Sequence, residues 1–295
     1  MQRQKYFYCK FIDSDRREHQ EKVFFVESSF STNDDTIYRL NGYIAAGGNG
    51  AIFRCFLAEN NEEFAVKFLR VLDPVRRERF EFECLVLNDL DHPNILPMYD
   101  VGLVETTFCS PIPFMITKFF PGTVGKRVRE NGLFSINDVK KHGKQMCEAF
   151  GYLHSQGVIH RDIKPNNLLL DGDLLAVCDL GLAKTLTEEG QGRFWRGDMT
   201  ASGDHVGSVV WMSPELRKYA EQKTTKVDHR SDLFQMGKIL WYMHTENDAG
   251  IPDKDDDQSG GTLYNIVMKA TQANPDKRFQ SAIEMSLALD ELCNE

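Results

Sequence analysis

Short runs of aromatic and β-branched residues, separated by polar turns, dominate the first 118 residues and predict β-strands. Two of these runs, residues 5–12 and 22–27, flank a charged stretch from Asp13 to Glu21, and we expect them to pair across a long loop. Further strands are predicted on either side of a glycine-rich turn in residues 37–57, and over residues 63–69, 95–104 and 114–119.

One helix is expected within this strand-rich region. Asp73 is a suitable N-cap and Pro74 suits the first helical position. Apolar residues then recur at spacings of four and three, which places them on one face of a helix. The helix should end near Asp89, ahead of the turn His92-Pro93-Asn94.

The pattern changes to helical periodicity after Pro121-Gly122. Ser135 and Asp138 have the spacing of a capping box and precede a long amphipathic segment, and most of the chain after Val206 is also predicted to be helical. The acidic, glycine-rich stretch from Asn247 to Gly261 is expected to be a mobile surface loop. A β-rich part followed by an α-rich part predicts an α+β fold.

Composition and charge narrow the possible partners and the compartment. The net charge of −9 argues against nucleic-acid binding, because no basic surface is available to neutralise phosphates. Seven cysteines without close pairing favour a reducing compartment over a disulfide framework. No apolar run reaches the length of a membrane span. We therefore expect a cytoplasmic protein that binds neither nucleic acid nor membranes.

The candidate chemistry is concentrated in residues 160–167 and at Asp179. Asp162 offers a carboxylate to orient a hydroxyl group, and Lys164 offers a cation for phosphate charge. Asn167 and Asp179 offer the hard oxygen atoms that magnesium prefers. Phosphoryl transfer from Mg-ATP needs this combination of groups.

These segments carry a resemblance to the eukaryotic-type serine/threonine protein kinases. Residues 160–167 resemble the catalytic-loop pattern H-R-D-x-K-x-x-N, and Asp179-Leu180-Gly181 resembles D-F-G. Residues 207–215 resemble G-T-x-x-Y-M-A-P-E, with tryptophan in place of tyrosine and serine in place of alanine. Asp232 matches the residue that anchors the catalytic loop, and Arg278 matches the arginine that pairs with Glu215.

The resemblance implies a two-lobed kinase fold, with a β-rich N-lobe that contains one αC helix and an α-helical C-lobe. The expected divisions are an N-terminal β extension over residues 1–36, the N-lobe over 37–118 and the C-lobe over 119–295. The variant motifs are more similar to bacterial, stand-alone catalytic domains than to animal kinases.

The resemblance also implies roles for individual residues. Asp162 would be the catalytic base, and Lys164 would neutralise γ-phosphate charge. Asn167 and Asp179 would hold Mg²⁺, or Mn²⁺ in its place. Lys67 would bind the α- and β-phosphates of ATP. Glu83, nine residues before His92 as in the family, would position Lys67.

The remaining nucleotide contacts follow from the same alignment. The family's first phosphate-loop glycine is Ala45 here, and a glycine-rich hairpin alone is most often only a turn. Thr117 and Phe119 fall on the hinge between the two lobes. Thr117 would control the depth of the pocket behind the adenine. Ile52, Ala65 and Leu169 would enclose the base. The implied cofactor-binding residues of the glycine-rich loop are Ala45, Gly47, Gly48, Asn49 and Gly50.

The implied function is phosphorylation of protein serine and threonine residues, since Lys164 is typical of kinases with that specificity. Arg161 implies activation by autophosphorylation, with Thr200 and Ser202 as candidate sites and a homodimer as the candidate complex for reaction in trans. A catalytically weak kinase-fold scaffold is the alternative. A small-molecule kinase is disfavoured by residues 207–215 and Arg278.

Overall fold

The computed structural model describes residues 6–12, 16–24, 29–47, 50–106, 108–185, 209–222, 226–247 and 252–292. The chain divides into two compact units. Unit 1 comprises Met1–Asp91 and Leu96–Phe120, and unit 2 comprises His92–Ile95 and Pro121–Glu295. No helix within the described ranges combines the length and apolarity needed to cross a membrane.

Unit 1 consists mainly of strands, as the sequence pattern predicts. Its strands are β1 (Tyr6–Ile12), β2 (Glu18–Phe24), β3 (Ser29–Ser31), β4 (Ile37–Ala46), β5 (Gly50–Leu57), β6 (Glu63–Leu69), β7 (Val71–Leu72), β8 (Met98–Val104) and β9 (Ile112–Lys118). Six of them form one sheet in the order β3-β4-β5-β6-β9-β8. The helix α1 (Pro74–Asp89) begins and ends at the predicted residues, and Asp73 accepts a hydrogen bond from the backbone N–H of Arg76.

The N-terminal segment forms a hairpin that belongs to a separate three-stranded sheet. β1 pairs antiparallel with β2 and parallel with β7, giving the order β2-β1-β7. The predicted long loop is wrong in extent, because β2 begins at Glu18 and includes charged residues assigned to the loop. Charged side chains are compatible with an edge strand, where they remain in water.

The core of unit 1 lies where this hairpin meets the main sheet. The ring of Phe7 stacks on that of Phe68 with centroids 5.3 Å apart, and it also packs at 6.2 Å from Phe53. Cys9 is fully buried in the same cluster. The hairpin is therefore an integral part of the hydrophobic core of this unit.

Unit 2 is mostly helical, with short strands near its predicted catalytic segment. Its described elements are β10 (Gly122–Thr123), α2 (Val124–Asn131), α3 (Ile136–Ser155), β11 (Val158–Ile159), β12 (Leu168–Asp171), β13 (Leu174–Val177), β14 (Lys184–Thr185), α4 (Pro214–Gln222), α5 (Arg230–Thr245), α6 (Thr262–Ala270) and α7 (Ala282–Asp290). The predicted cap of α3 is confirmed, because Ser135 accepts a hydrogen bond from the N–H of Asp138. The predicted α+β fold class is likewise confirmed.

The expected surface loop before α6 is confirmed for the part that the structure describes, since most of residues 252–260 are exposed, but it is not entirely solvated. Residues 252–260 include a buried carboxylate, Asp257. It accepts hydrogen bonds from the N–H groups of Ser259 and of Tyr264, which lies in the first turn of α6. An acidic composition alone did not distinguish this helix-capping role from a solvated loop.

Candidate active site

The strand register of unit 1 brings the predicted nucleotide-binding residues to one face of the main sheet. Ile52 pairs with Lys67 across β5 and β6, and Ala65 pairs with Thr117 across β6 and β9. Alternate residues of a strand point to opposite faces, so these four side chains share a face. The opposite face carries the apolar residues that pack against the N-terminal hairpin, including Phe53, Val66, Phe68 and Ile116.

Two more of the predicted residues border this face. Ala45 on β4 pairs with Ile52, which extends the face toward the glycine-rich turn. Phe119 follows β9 directly and is half-buried, with the guanidinium of Arg54 lying 5.0 Å from its ring centroid. Leu169 belongs to unit 2, where it pairs with Thr123 and Ala176 in the sheet β10-β12-β13.

Lys67 and Glu83 form the ion pair that the resemblance implied. The ammonium Nζ of Lys67 lies 2.9 Å from Oε1 and 2.7 Å from Oε2 of Glu83. Glu83 is only 3% exposed, because the face of α1 that carries it packs toward the sheet. Its carboxylate therefore fixes the end of a flexible lysine side chain.

The glycine-rich turn connects β4 to β5 close to this lysine. The N–H of Gly47 donates to the carbonyl of Gly50 at 2.9 Å, while Gly48 and Asn49 lie outside the described residues. A Cβ added at Gly50 would lie 3.3 Å from both Cγ and Cε of Lys67, whereas a Cβ at Gly47 would meet nothing within 4 Å. The absence of a side chain at position 50 leaves space for the stem of Lys67.

In unit 2, the side chains of Lys164 and Asn167 both donate hydrogen bonds to the carboxylate of Asp162. Lys164 Nζ donates to Oδ2 of Asp162 at 2.7 Å. Asn167 Nδ2 donates to the same oxygen at 3.2 Å and to the backbone carbonyl of Asp162 at 2.9 Å. The short 3-10 helix Pro165–Asn167 turns the chain back so that these contacts can form. Asp162 is thus held in one orientation by two donors from its own loop.

Asp232 of α5 anchors the backbone of this loop. Its two carboxylate oxygens accept hydrogen bonds of 2.9 Å from the N–H groups of His160 and Arg161. His154 Nε2 lies 2.9 Å from the same carboxylate. Burial alone would raise the pKa of Asp232, but these partners outweigh burial and lower its pKa. His160 is fully buried, and its Nδ1 accepts from the N–H of Asp162 at 3.2 Å.

Two residues of the candidate site adopt the left-handed backbone conformation that non-glycine residues rarely adopt. Arg161 and Asp179 both have φ of 67°. Such a conformation costs about 1–3 kcal/mol per residue and is concentrated at functional sites. Asp179 is followed by the 3-10 helix Leu180–Leu182, in which Leu180 is fully buried, as expected for a residue that replaces the phenylalanine of D-F-G.

The two cations of this region have different electrostatic surroundings. Burial opposes the charge on Lys164, but the carboxylates of Asp162 and Asp179 outweigh burial and raise its pKa. Burial lowers the pKa of Arg161, although Tyr219 and Asp232 act in the opposite direction. Arg161 Nε donates to the carbonyl of Leu182 at 2.8 Å, which ties the catalytic loop to the segment after Asp179.

The donor set of Asn167 and Asp179 fits a magnesium ion. Asn167 uses its Nδ2 toward Asp162, so its amide Oδ1 is the atom that would coordinate a metal. In the described part of the chain no group of three or more His, Cys, Asp or Glu side chains could hold a metal. Magnesium does not require such a cage, because it commonly uses one or two protein ligands together with phosphate and water.

Several supporting contacts were missed by the sequence reasoning. Ser213, which replaces the alanine of A-P-E, is fully buried with its Oγ 2.5 Å from Oγ of Ser231. Gln235 accepts a hydrogen bond from the N–H of Ile163 at 3.4 Å, and so supports the catalytic loop from α5. Only their position in the sequence pointed to these two residues. Ser231 directly precedes Asp232, and Gln235 lies one helical turn after Ser231 on the same helix. The candidate phosphorylation sites Thr200 and Ser202 lie outside the described residues.

Comparison with known proteins agrees with this geometry. A model of the protein kinase domain matches residues 38–295. The serine/threonine-protein kinase PknB of Mycolicibacterium smegmatis is 27% identical over 271 residues, covering 84% of this chain and 41% of the relative. A probable serine/threonine-protein kinase of Clostridium acetobutylicum is 26% identical over 280 residues, covering 87% of this chain and 39% of the relative.

A third relative, a probable serine/threonine-protein kinase of Streptomyces coelicolor, is 27% identical over 276 residues, covering 86% of this chain and 39% of the relative. The chain thus spans about two fifths of the length of the curated relatives it matches. Because the kinase-domain match extends over most of the sequence and includes both the Lys67–Glu83 pair and the Asp162 loop, the chain belongs to the protein kinase domain family.

Proposed function

We propose that this chain is a serine/threonine protein kinase that transfers the γ-phosphate of Mg-ATP to hydroxyl groups of protein substrates. The observation that carries the proposal is the pair of hydrogen bonds from Lys164 and Asn167 to one oxygen of Asp162. A carboxylate oriented in this way can accept the proton of an attacking hydroxyl. The relatives named as serine/threonine kinases support the choice of acceptor residue.

Each residue of the proposal acts through positioning or charge. Lys67, held by Glu83, would bind the α- and β-phosphates, and Lys164 would neutralise charge on the transferred group. Asn167 and Asp179 would hold magnesium. When bound, the metal supplies positive charge that is shared between phosphate oxygens. The proposed adenine-binding residues are Ile52, Ala65, Thr117, Phe119 and Leu169.

Regulation and location are further parts of the proposal. Autophosphorylation at Thr200 or Ser202 would add a dianionic group, and the proposed partner for its charge is Arg161, whose guanidinium is buried and bonded to backbone carbonyls. Reaction in trans would require a transient homodimer. A cytoplasmic location is consistent with the free thiols of Cys55, Cys84 and Cys147.

The test is phosphotransfer from radiolabelled ATP, with magnesium or manganese, to a panel of serine-, threonine- and tyrosine-containing acceptor proteins. We expect wild type to label serine and threonine, and Asp162→Asn to reduce turnover by about 10²–10⁴. ATP binding, measured by its effect on thermal unfolding, should persist in the variant. Near-wild-type turnover in Asp162→Asn would exclude Asp162 as the base.

The same assay distinguishes the scaffold alternative and the phosphorylation sites. A wild-type chain that binds ATP without any phosphotransfer would favour a catalytically weak scaffold. Mass spectrometry of wild type beside Asp162→Asn should find phosphate on Thr200 or Ser202 only in wild type. An active wild type without phosphate on either residue would contradict the autophosphorylation proposal while leaving the kinase proposal intact.

A further inference from the structure

Two cysteines of unit 1, far apart in sequence, have adjacent side chains. Cys9 lies in the middle of β1, and Cys109 lies in the connection between β8 and β9. Cys109 packs against the core cluster that contains Cys9, and its thiol is close enough to raise the pKa of the Cys9 thiol, which itself lies 3.9 Å from the carbonyl of Lys10. The rings of Phe11 and Phe108 stack beside them with centroids 5.8 Å apart, so two pairs of side chains bring the two segments together.

The surroundings of the two sulfur atoms are unequal. Cys9 is fully buried in the core of unit 1, whereas Cys109 is half-buried at its edge. Burial, followed by the effect of the neighbouring Cys109, raises the pKa of Cys9 to about 12. Cys109 is therefore the sulfur that a dissolved oxidant reaches first, and Cys9 is the sulfur placed behind it.

Thr106 holds Cys109 in this position. Its hydroxyl donates to the carbonyl of Cys109 at 2.7 Å and accepts from the N–H of Cys109 at 3.1 Å. The same hydroxyl lies 3.1 Å from Sγ of Cys109. These three contacts restrain both the backbone and the sulfur of Cys109.

We propose that Cys9 and Cys109 form a redox pair, in which a peroxide converts the two thiols to a disulfide that joins the N-terminal hairpin to the connection between β8 and β9. The pair lies on the side of the main sheet opposite to Lys67, because Cys9 packs in the cluster that contains Phe53 and Phe68. The proposed chemistry is thus separate from the phosphotransfer residues.

The reaction balances with hydrogen peroxide as the oxidant. The Cys109 thiolate attacks one peroxide oxygen, the O–O bond breaks, and sulfenic acid and water are formed after proton transfer. The Cys9 sulfur then attacks the sulfenic sulfur and displaces the oxygen as a second water. Two thiols and one peroxide give one disulfide and two waters, with sulfur oxidised and peroxide oxygen reduced. Formation of the bond requires the two sulfur atoms to approach to about 2.05 Å.

The experiment treats the full chain with stoichiometric hydrogen peroxide, blocks remaining thiols by alkylation and maps peptides without reduction. We expect a peptide pair that links Cys9 to Cys109, lacks two hydrogens and separates on addition of dithiothreitol. The bond closes a long loop, so it should also raise the unfolding midpoint of the oxidised protein by several degrees. Absence of this linked pair, or linkage of Cys109 to another cysteine, would overturn the proposal.

Variants separate the roles of the two sulfurs. Cys9→Ala should accumulate sulfenic acid at Cys109, trapped by dimedone in at least severalfold greater yield than in wild type. Cys109→Ser, at the half-buried position, should lose both the bond and the oxidation-dependent rise in unfolding midpoint, even if Cys9→Ala folds poorly. The matched controls are Cys55→Ala, a buried cysteine of the same core, and Cys84→Ser, a half-buried one. Equal dimedone labelling in wild type and Cys9→Ala, or loss of the bond in either control, would contradict the assignment.

Discussion

Arg278 donates two parallel hydrogen bonds to the carboxylate of Glu215, with Nη1–Oε1 at 2.7 Å and Nη2–Oε2 at 2.8 Å. The side chain of Arg278 is completely buried, and it also donates to backbone carbonyls of Gln272, Arg230 and Ala273. The pair joins the start of α4 to the segment before α7. It lies entirely within unit 2 and confirms the pairing that the family resemblance implied.

Breaking this buried pair should destabilise unit 2 strongly. Removal of one partner leaves an uncompensated buried charge, which costs about 3–5 kcal/mol. Arg278→Met should be more destabilising than Glu215→Gln, because it also leaves three carbonyls without their donor. Urea denaturation of both variants measures the loss, with Lys269→Met, which removes an exposed ion pair with Glu284, as the control. Equal and small losses in all three variants would contradict a structural role for the pair.

Lys67 and Glu83 should act as a unit in phosphotransfer. Lys67→Ala removes the phosphate contact, and Glu83→Ala leaves the lysine present but no longer held by the 2.7 Å contact. The double variant is therefore expected to lose little more kcat/KM than Lys67→Ala alone, since residues that act together are non-additive. Fully additive losses would show that Glu83 acts independently of Lys67.

Gly50 and Gly47 provide a matched pair of substitutions around the same turn. Gly50→Ala should displace the stem of Lys67, because the added methyl group would lie 3.3 Å from two of its carbon atoms. We expect a higher KM for ATP in this variant. Gly47→Ala adds a methyl group that meets no protein atom within 4 Å, so it should raise KM less than Gly50→Ala does. Equal effects of both substitutions would indicate that turn flexibility, not contact with Lys67, is what matters.

Stability of the protein should fall as the pH drops below about 6.5. His244 is buried, and its Nε2 accepts a hydrogen bond from the N–H of Gln258 at 3.1 Å, which requires that nitrogen to be unprotonated. Burial lowers the pKa of His244, with Asp257 opposing, and burial also lowers the pKa of His142. The unfolded chain, with histidine pKa near 6.5, therefore binds protons that the folded chain does not.

The sign of this effect and its size are both measurable. Because the unfolded state takes up more protons, the free energy of unfolding decreases as pH falls, by at most about 1.4 kcal/mol per pH unit for each histidine. Chemical denaturation between pH 7.5 and 5.5 measures the slope, and His244→Gln should reduce it. His19→Gln, on β2 in the other unit, is the control. An unchanged slope in His244→Gln would exclude this residue as a contributor.

The sequence was most informative where local patterns and chemistry agree. The span of α1 followed from its cap at Asp73 and from apolar spacing, and the catalytic loop followed from the close spacing of Asp162, Lys164 and Asn167. Such features depend on residues within a few positions of one another. The pairing of Lys67 with Glu83 required the family resemblance as well, because no local pattern links a strand lysine to a helix residue sixteen positions later.

Contacts between residues that are distant in sequence could not be predicted from local patterns. Ser213 and Ser231 are eighteen residues apart, and each serine alone is compatible with a surface loop. The charged residues at the start of β2 were predicted to form a loop. They form an edge strand instead, and an edge strand can carry charged side chains without the apolar alternation that identifies a buried strand. β7 consists of only two residues, and its partner β1 lies about sixty residues earlier, so no local periodicity could reveal it.

The position of β7 has a practical consequence for anyone who shortens this chain. The kinase-domain match begins at residue 38, yet Lys10 and Phe11 pair with Val71 and Leu72, which connect the strand of Lys67 to the helix of Glu83. Arg70 also donates to the carbonyl of Tyr8 and to that of Gly47. A protein trimmed to the family boundary would expose Phe53 and Phe68 to water and leave this connection without a neighbouring strand. For expression, crystallisation or inhibitor screening, the working N-terminus is the beginning of the hairpin.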